Sequence, residues 1–178
     1  KELITEMAFN GAGVRDTART LKIGINTVIR LQKTRAKANN FFPVAHADVA
    51  LICELDEQWS YVGSKARQHF WYAYNTKTGS VLAYTFGPRT DQTCRELLAL
   101  LTPFNIGMLT SDDWGSYGRV VPKNKHLTGK IFTQRIERNN LTLRTRIKRL
   151  ARKTICFSRS VEIHEKVIGA FIEKHMFY

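Results

Sequence analysis

The sequence predicts an α+β fold: a mixed sheet with three antiparallel strands followed by parallel strands, flanked by helices and preceded by a small helical domain. Three observations predict it. Residues 1–33 carry apolar positions at helix spacing, interrupted by glycines. From Ala47 onward the pattern changes to runs of apolar and aromatic residues bounded by turn residues. Those runs then alternate with helix-period segments as far as the C-terminus. With 178 residues, the chain suits one domain of ordinary size plus an appendage, burying about two-thirds of its unfolded surface.

In the first segment Leu3, Ile4, Met7 and Ala8 recur at helix spacing before Gly11 and Gly13 intervene. Residues 14–31 then fit a helix-turn-helix. Small Ala18 lies where the helices cross, Leu21, Ile23, Val28 and Leu31 fill the shared core, and Gly24 loosens the turn. The second helix starts near Asn26 and Thr27 and presents Asn26, Thr27, Arg30 and Lys33 to DNA. Two short amphipathic helices equally suit a dimerisation hairpin. Residues 34–46 lose periodicity and include Pro43, which marks a linker, so the second domain is expected over 47–178.

Residues 49–55 form a largely apolar run that 58–62 extends beyond Asp56 and Glu57, with a turn at Gly63, Ser64 and Lys65. Residues 70–75 and 80–86, joined by 76–79, complete an antiparallel meander. Residues 91–101 place Cys94, Leu97, Leu98 and Leu101 on one helix face, and Pro103 lies just past the end. A short buried strand at 106–110 and another at 126–128 follow, then a long helix over about 133–150 and a last one over about 158–171. This is also the element order of a ribonuclease H-like domain.

The net charge of +13 is concentrated. Residues 119–159 hold thirteen Lys and Arg against one acid, Glu137, which leaves the rest of the chain nearly neutral. A stripe of this kind suits a polyanion, and nucleic acid is the default partner because bound Lys and Arg release condensed counterions. The ordinary alternative is a solvated helix surface. Cys53, Cys94 and Cys156 are odd in number and widely spaced, which excludes a disulfide framework and a CxxC zinc half-site; they read as small buried hydrophobes in a reducing interior. No apolar run approaches the roughly 18 residues of a membrane span. Lys1 is not a start methionine and no signal-peptide pattern follows it, so the chain is expected to be a piece of something longer.

Three acids stand out. Asp56 interrupts an apolar strand; with Leu55 facing the core, period two sends Asp56 and Glu54 to the opposite face. Asp112 follows the run 107–111, at the carboxyl end of the fourth strand, where open sheets gather ligands. On the long helix Ile136, Leu143, Ile147 and Leu150 form the buried stripe with Asn140 beside them. Glu137, Arg144 and Lys148 share the adjoining flank, which puts Glu137 at the edge of the core beside cations. Carboxylates gathered from separate elements repel one another without a cation, and hard oxygen ligands favour Mg²⁺ or Mn²⁺. Two such ions about 3.5–4 Å apart serve phosphodiester displacement. Each acid alone also has an ordinary structural reading. Trp59, Trp71 and Trp114 read as packing, His126 and His164 as structural, and Lys65, Arg67, Arg135 and Arg138 as bases that position phosphate without reading sequence.

From about Ala50 to the C-terminus the chain resembles the transposases of bacterial insertion sequence one, members of the Asp-Asp-Glu superfamily with a ribonuclease H-like core. The resemblance is carried by the blocks at 55–63, 72–74, 86–90, 111–114, 133–138 and 157–162. Twenty-four residues separate Asp112 from Glu137, the family's spacing, so Asp112 is preferred over Asp113. The resemblance implies that Asp56, Asp112 and Glu137 form the catalytic triad and hold two Mg²⁺ or Mn²⁺ ions. It implies that the helix-turn-helix recognises terminal inverted repeats. The bases around Glu137, Arg135, Arg138, Arg144 and Lys148, are expected to contact the DNA backbone. The partners implied are double-stranded DNA, as element ends and target, and further copies of the chain, at least a dimer, in the bacterial cytoplasm at the nucleoid. Family members carry His-Asn where this chain has Asn139-Asn140, Gly where it has Asp113, and a zinc-binding segment at their start. A catalytically inactive DNA-binding regulator and a ribonuclease H-type nuclease are the alternative readings.

Overall fold

The structure, a computed structural model, describes residues 1–34 and 51–177. Most of the expected linker, and the start of the domain expected at 47–178, lie outside the described residues. Strands β1 (Leu51–Val62), β2 (Ala66–Asn75), β3 (Ser80–Phe86), β4 (Ile106–Ser111) and β5 (His126–Thr128) form one sheet in the order β3-β2-β1-β4-β5. β2 and β3 pair antiparallel, whereas β4 pairs parallel with β1 and with β5. The mixed sheet read from the sequence is therefore present. The two runs flanking Asp56 are one strand of 12 residues, because backbone ladder bonds are indifferent to an acidic side chain. β2 likewise begins at Ala66 rather than Phe70, through a polar stretch.

One face of the sheet carries α4 (Asp91–Leu101), whose N-terminus is capped by the Thr90 hydroxyl accepting from the Thr93 N–H. Cys94, Leu97 and Leu101 of α4 pack with Cys53, Leu55, Trp71, Ala73, Leu82, Leu109 and Tyr117, the last from α5 (Gly115–Val120). Burial pushes the Cys53 and Cys94 thiols up to about 12 and about 11, so both stay protonated and behave as hydrophobes. Cys156 departs from the expectation: it is exposed, at φ 58 in a loop.

The long helix expected over 133–150 is two helices, α6 (Gln134–Arg146) and α7 (Lys148–Ala151). β-branched Ile147 breaks them with extended backbone at φ −108, ψ 93. The apolar stripe survives the break: Ile136, Leu143, Ile147 and Leu150 are all buried. The final helix, α8 (Val161–His175), starts and ends later than expected. No helix among the described residues is long and apolar enough to cross a membrane.

The chain divides into two compact units, each assembled from separate stretches of sequence. One unit holds Asn39–Trp59, His69–Leu141 and Met176–Tyr178, hence most of the sheet with α4, α5 and the start of α6. The other holds Lys1–Ala38, Ser60–Gln68 and Thr142–His175. In this second unit α1 (Glu2–Phe9), α2 (Val14–Leu21) and α3 (Ile25–Thr34) surround Ile4, Ala18 and Val28, with Leu21, Ile23 and Leu31 packed against them. The burial of small Ala18 against Val28 is as the sequence predicts. α1 and α3 also pack on α8, where the Phe9 and Phe171 rings meet edge-on at 5.1 Å.

Within the same unit lies a buried polar chain. His164 hydrogen-bonds the Ser60 hydroxyl through Nε2 and the Ser158 hydroxyl through Nδ1, both at 2.8 Å, and the Arg149 guanidinium donates to Ser158 at 3.0 Å. His164 is thus structural, as expected. Burial first, and the Arg149 charge second, push its imidazole down from 6.5 to about 3. A histidine held neutral by folding stabilises fully above its unfolded value and loses that contribution as pH falls toward the folded value. Thermal or denaturant unfolding should therefore show stability falling from about pH 6.5 toward pH 3, with a slope of up to about 1.4 kcal/mol per pH unit from this group. The slope should flatten in His164→Gln; an unchanged slope would remove His164 as its source.

Candidate active site

The site is built on β1 and β4, whose parallel register pairs Ile52 with Met108, Cys53 with Leu109 and Glu54 with Thr110. The ladder ends at Glu54 and Thr110, two residues short of Asp56 on β1 and of Asp112 just past β4, and the Asp112 charge is felt at Asp56. Glu54 and Thr110 hold the entry to α6. The Glu54 carboxylate accepts the Ile136 N–H at 2.5 Å, and the Thr110 hydroxyl donates to the Phe132 carbonyl at 2.9 Å. Ile136 lies in the first turn, where N–H groups lack helical partners and the helix end favours negative charge, so a buried carboxylate is at home there.

With its start fixed, α6 brings Asn140 to Asp56: the Asn140 amide donates to Asp56 Oδ2, while the Glu57 N–H donates to Oδ1 at 2.8 Å. Burial raises the Asp56 carboxyl to about 7, with the Glu57 charge adding to the rise, the two hydrogen bonds opposing it and Asp112 adding a further increment. Asp112 is half-buried, and its Oδ1 accepts the Trp114 N–H at 3.1 Å. Its neighbour Asp113 points out to solvent.

Glu137 differs from expectation. It is exposed rather than at the core edge, and its carboxylate accepts from the Thr133 hydroxyl at 3.2 Å. The start of α6 is held by Glu54 and Thr110 through Ile136 and Phe132, and the next buried position is Asn139, which turns Glu137 outward. Among the described residues no three His, Cys, Asp or Glu side chains are grouped closely enough to hold a metal ion. The donor chemistry nonetheless fits a hard divalent cation: Asp56 and Asp112 are carboxylates that accept from neutral N–H donors, and the charge of Asp112 is felt at Asp56.

Glu57, one residue on from Asp56, faces the other side of the sheet and was not singled out by the sequence. Its side chain is only 6% exposed, accepts from the Tyr117 hydroxyl at 2.8 Å and pairs with Arg89 at 2.7 Å. The Arg89 guanidinium in turn lies 4.4 Å over the Trp114 ring. Only the apolar positions around Glu57 hinted at its burial. Trp71 and Trp114 pack together at 5.2 Å, as expected of packing residues. His126 bonds the Ser111 hydroxyl at 2.7 Å, beneath Asp112.

The proposed DNA contacts fall on both units. On α3, Asn26, Arg30 and Lys33 are exposed and Thr27 is half-buried, with Lys33 paired to Glu162 at 2.7 Å. Arg135 and Arg138 are exposed on α6, Lys148 is exposed on α7 and Arg144 is half-buried. Arg135 donates to the Thr76 carbonyl. Lys65 is exposed in the turn between β1 and β2, and Arg67 is exposed at the start of β2.

Comparison with known proteins gives two family matches: residues 50–178 match the family described as IS1 transposase, and residues 1–35 match that described as InsA C-terminal domain. The insertion element iso-IS1n protein InsB of Shigella dysenteriae is 93% identical over 131 residues, 73% of this chain and 100% of that protein. The insertion element IS1 9 protein InsB of Escherichia coli K12 is 45% identical over 131 residues, 72% of this chain and 78% of that protein. Among solved structures, a chain of a simian T-cell lymphotropic virus intasome in complex with PP2A regulatory subunit B56 gamma aligns at TM-score 0.43 and 15% identity. That alignment covers 80% of this chain and 58% of the other.

Removing the cation from a buried carboxylate leaves an uncompensated charge. Arg89→Ala should destabilise the protein by about 1–3 kcal/mol in denaturant unfolding, and Glu57→Gln in the same chain should recover part of that loss. Additive losses in the double variant would show that the pair is not coupled.

Proposed function

The chain belongs to the IS1 transposase family and is a DNA transposase, and from that premise we propose that Asp56, Asp112 and Glu137 are its catalytic acids. The observation that supports the proposal is the β1–β4 register, which pairs Glu54 with Thr110 two residues before Asp56 and Asp112, at the carboxyl end of a parallel strand pair. Glu137, one helix turn before Asn140, the residue bonded to Asp56, would join them. These three side chains would hold Mg²⁺ or Mn²⁺, two ions in all. Divalent ions of this kind, when bound, activate a water or a DNA 3′ hydroxyl and stabilise the departing oxygen.

The protein's own residues supply the rest. Arg135 and Arg138 neutralise backbone phosphates next to Glu137, Arg144 and Lys148 supply further phosphate contacts, and α3 reads the element end through Asn26, Thr27, Arg30 and Lys33. The reaction is cleavage at the element ends followed by joining of the freed 3′ ends to target DNA. Pairing two ends requires at least two copies of the chain, acting where the bacterial DNA is, at the nucleoid. The family carries DNA-binding helices, and the exposed basic side chains of α3 and α6 support their use here.

Incubated with a labelled element end and Mg²⁺, Glu137→Gln and Asp56→Asn should each cut at least about a hundredfold more slowly than the unaltered chain, with DNA binding retained. Chelation should abolish cutting in all. Equal cutting by Glu137→Gln would remove Glu137 from the site, and cutting without strand joining by the unaltered chain would make it a nuclease. On the DNA-binding side, Arg30→Ala should weaken end binding and lower the slope of log affinity against log salt by about 1. An unchanged slope would take Arg30 off the phosphates.

A further inference from the structure

We infer that Tyr72 and Asn140 are positioning residues for Asp56: with Asn139 they form a one-way hydrogen-bond relay that fixes which end of the Asn140 amide meets the carboxylate. The inference rests on reading Asp56 as a metal ligand.

The geometry is directional. Asn139 Nδ2 donates to the Tyr72 hydroxyl oxygen at 3.2 Å. The Tyr72 hydroxyl donates to Asn140 Oδ1 at 2.7 Å. Asn140 Nδ2 then donates to Asp56 Oδ2. A tyrosine hydroxyl has one hydrogen, and here the shorter contact takes it, since its other acceptor, the Ile136 carbonyl, is at 3.3 Å.

An asparagine amide has two orientations 180° apart, and they are not equivalent against an acid. One sets an N–H toward the carboxylate; the other sets a carbonyl oxygen against it. Tyr72 selects the first by donating to Oδ1. All three relay residues are buried, Tyr72 completely, so water does not substitute for a lost partner without entering the packed interior.

The consequence for Asp56 concerns its lone pairs. A carboxylate offers about four acceptor sites. The Glu57 N–H takes one on Oδ1 and Asn140 takes one on Oδ2, which pins the plane of the carboxylate and leaves one site per oxygen for a cation. The hydroxyl of Tyr72 has no part in the ring's own packing, a stack on Phe70 at 5.1 Å between centroids. Tyr72→Phe therefore removes the relay and keeps the ring.

The test uses the full chain and Mn²⁺ alone as probe, with free Mn²⁺ followed by electron paramagnetic resonance. Asp56→Asn is the reference variant, and unfolding midpoints are measured in parallel. Tyr72→Phe and Asn140→Ala should each weaken Mn²⁺ binding by about tenfold to a hundredfold. In element-end cleavage the Mg²⁺ concentration for half-maximal rate should rise by a similar factor, with end binding unchanged. If Asn140→Ala fails to fold, Tyr72→Phe decides the matter alone. A lowered unfolding midpoint with Mn²⁺ affinity unchanged would mark the relay as ordinary packing and overturn the inference while leaving the catalytic acids in place. If Asp56→Asn itself binds Mn²⁺ as the unaltered chain does, the metal-ligand reading fails first and takes the inference with it.

Discussion

The site depends on a single carboxylate that is not itself one of the proposed catalytic acids. Glu54 reaches from β1 to the Ile136 N–H and so ties the first turn of α6 to the sheet. That contact sets the phase of the helix relative to β1 at its first turn, which is where the approach of Asn140 to Asp56 begins. Burial raises the Glu54 carboxyl above its usual range, while the Ile136 N–H and the nearby Arg135 charge pull the other way. The helix terminus thus supplies the partial positive charge that makes burying an acid tolerable. Thr110, Glu54's partner across the ladder, grips the same entry through the Phe132 carbonyl.

The acids of β1 illustrate how alternation on a strand sorts like groups into unlike roles. Glu57 faces the side bearing α4 and α5 and has a cation, Arg89, and a hydroxyl, Tyr117, assigned to it. Its charge is locally balanced and available for nothing else. Asp56, one residue earlier on the other face, receives only neutral donors and lies beside Asp112. Two acids adjacent in sequence are therefore a balanced structural ion and an unbalanced one, and the unbalanced one is where an external cation has something to gain.

Most of the architecture was legible because periodicity reports burial directly. The bounds of β3 and α4, the burial of Ala18 with Val28 and the stripe Ile136, Leu143, Ile147 and Leu150 all follow from which side chains leave water. What periodicity misses is backbone conformation that keeps the stripe intact. Ile147 stays buried on either a continuous or a broken helix, so the break between α6 and α7 leaves no trace in the pattern. Cys156 was misread for a related reason: a cysteine in a loop carries no periodic signal, and its usual burial was assumed. At the site, Asp56 and Asp112 could be placed on their strands but not in register with each other, since register depends on pairing between distant segments. The roles of Glu54, Glu57, Tyr72 and Asn140 were invisible for the same reason, each being defined by a partner dozens of residues away.

The packing of α1 and α3 against α8 also bears on how the protein behaves outside its chemistry. Ile168, Phe171 and Ile172 are buried on α8, and the Phe9 ring covers part of Phe171. A version of this polypeptide lacking its first three helices would keep every proposed catalytic acid yet bare a greasy strip near its C-terminus. Such a strip favours sticking to other molecules over staying in solution. The N-terminal helices, whatever they read on DNA, thereby also act as the solubilising cover of the chain's other end.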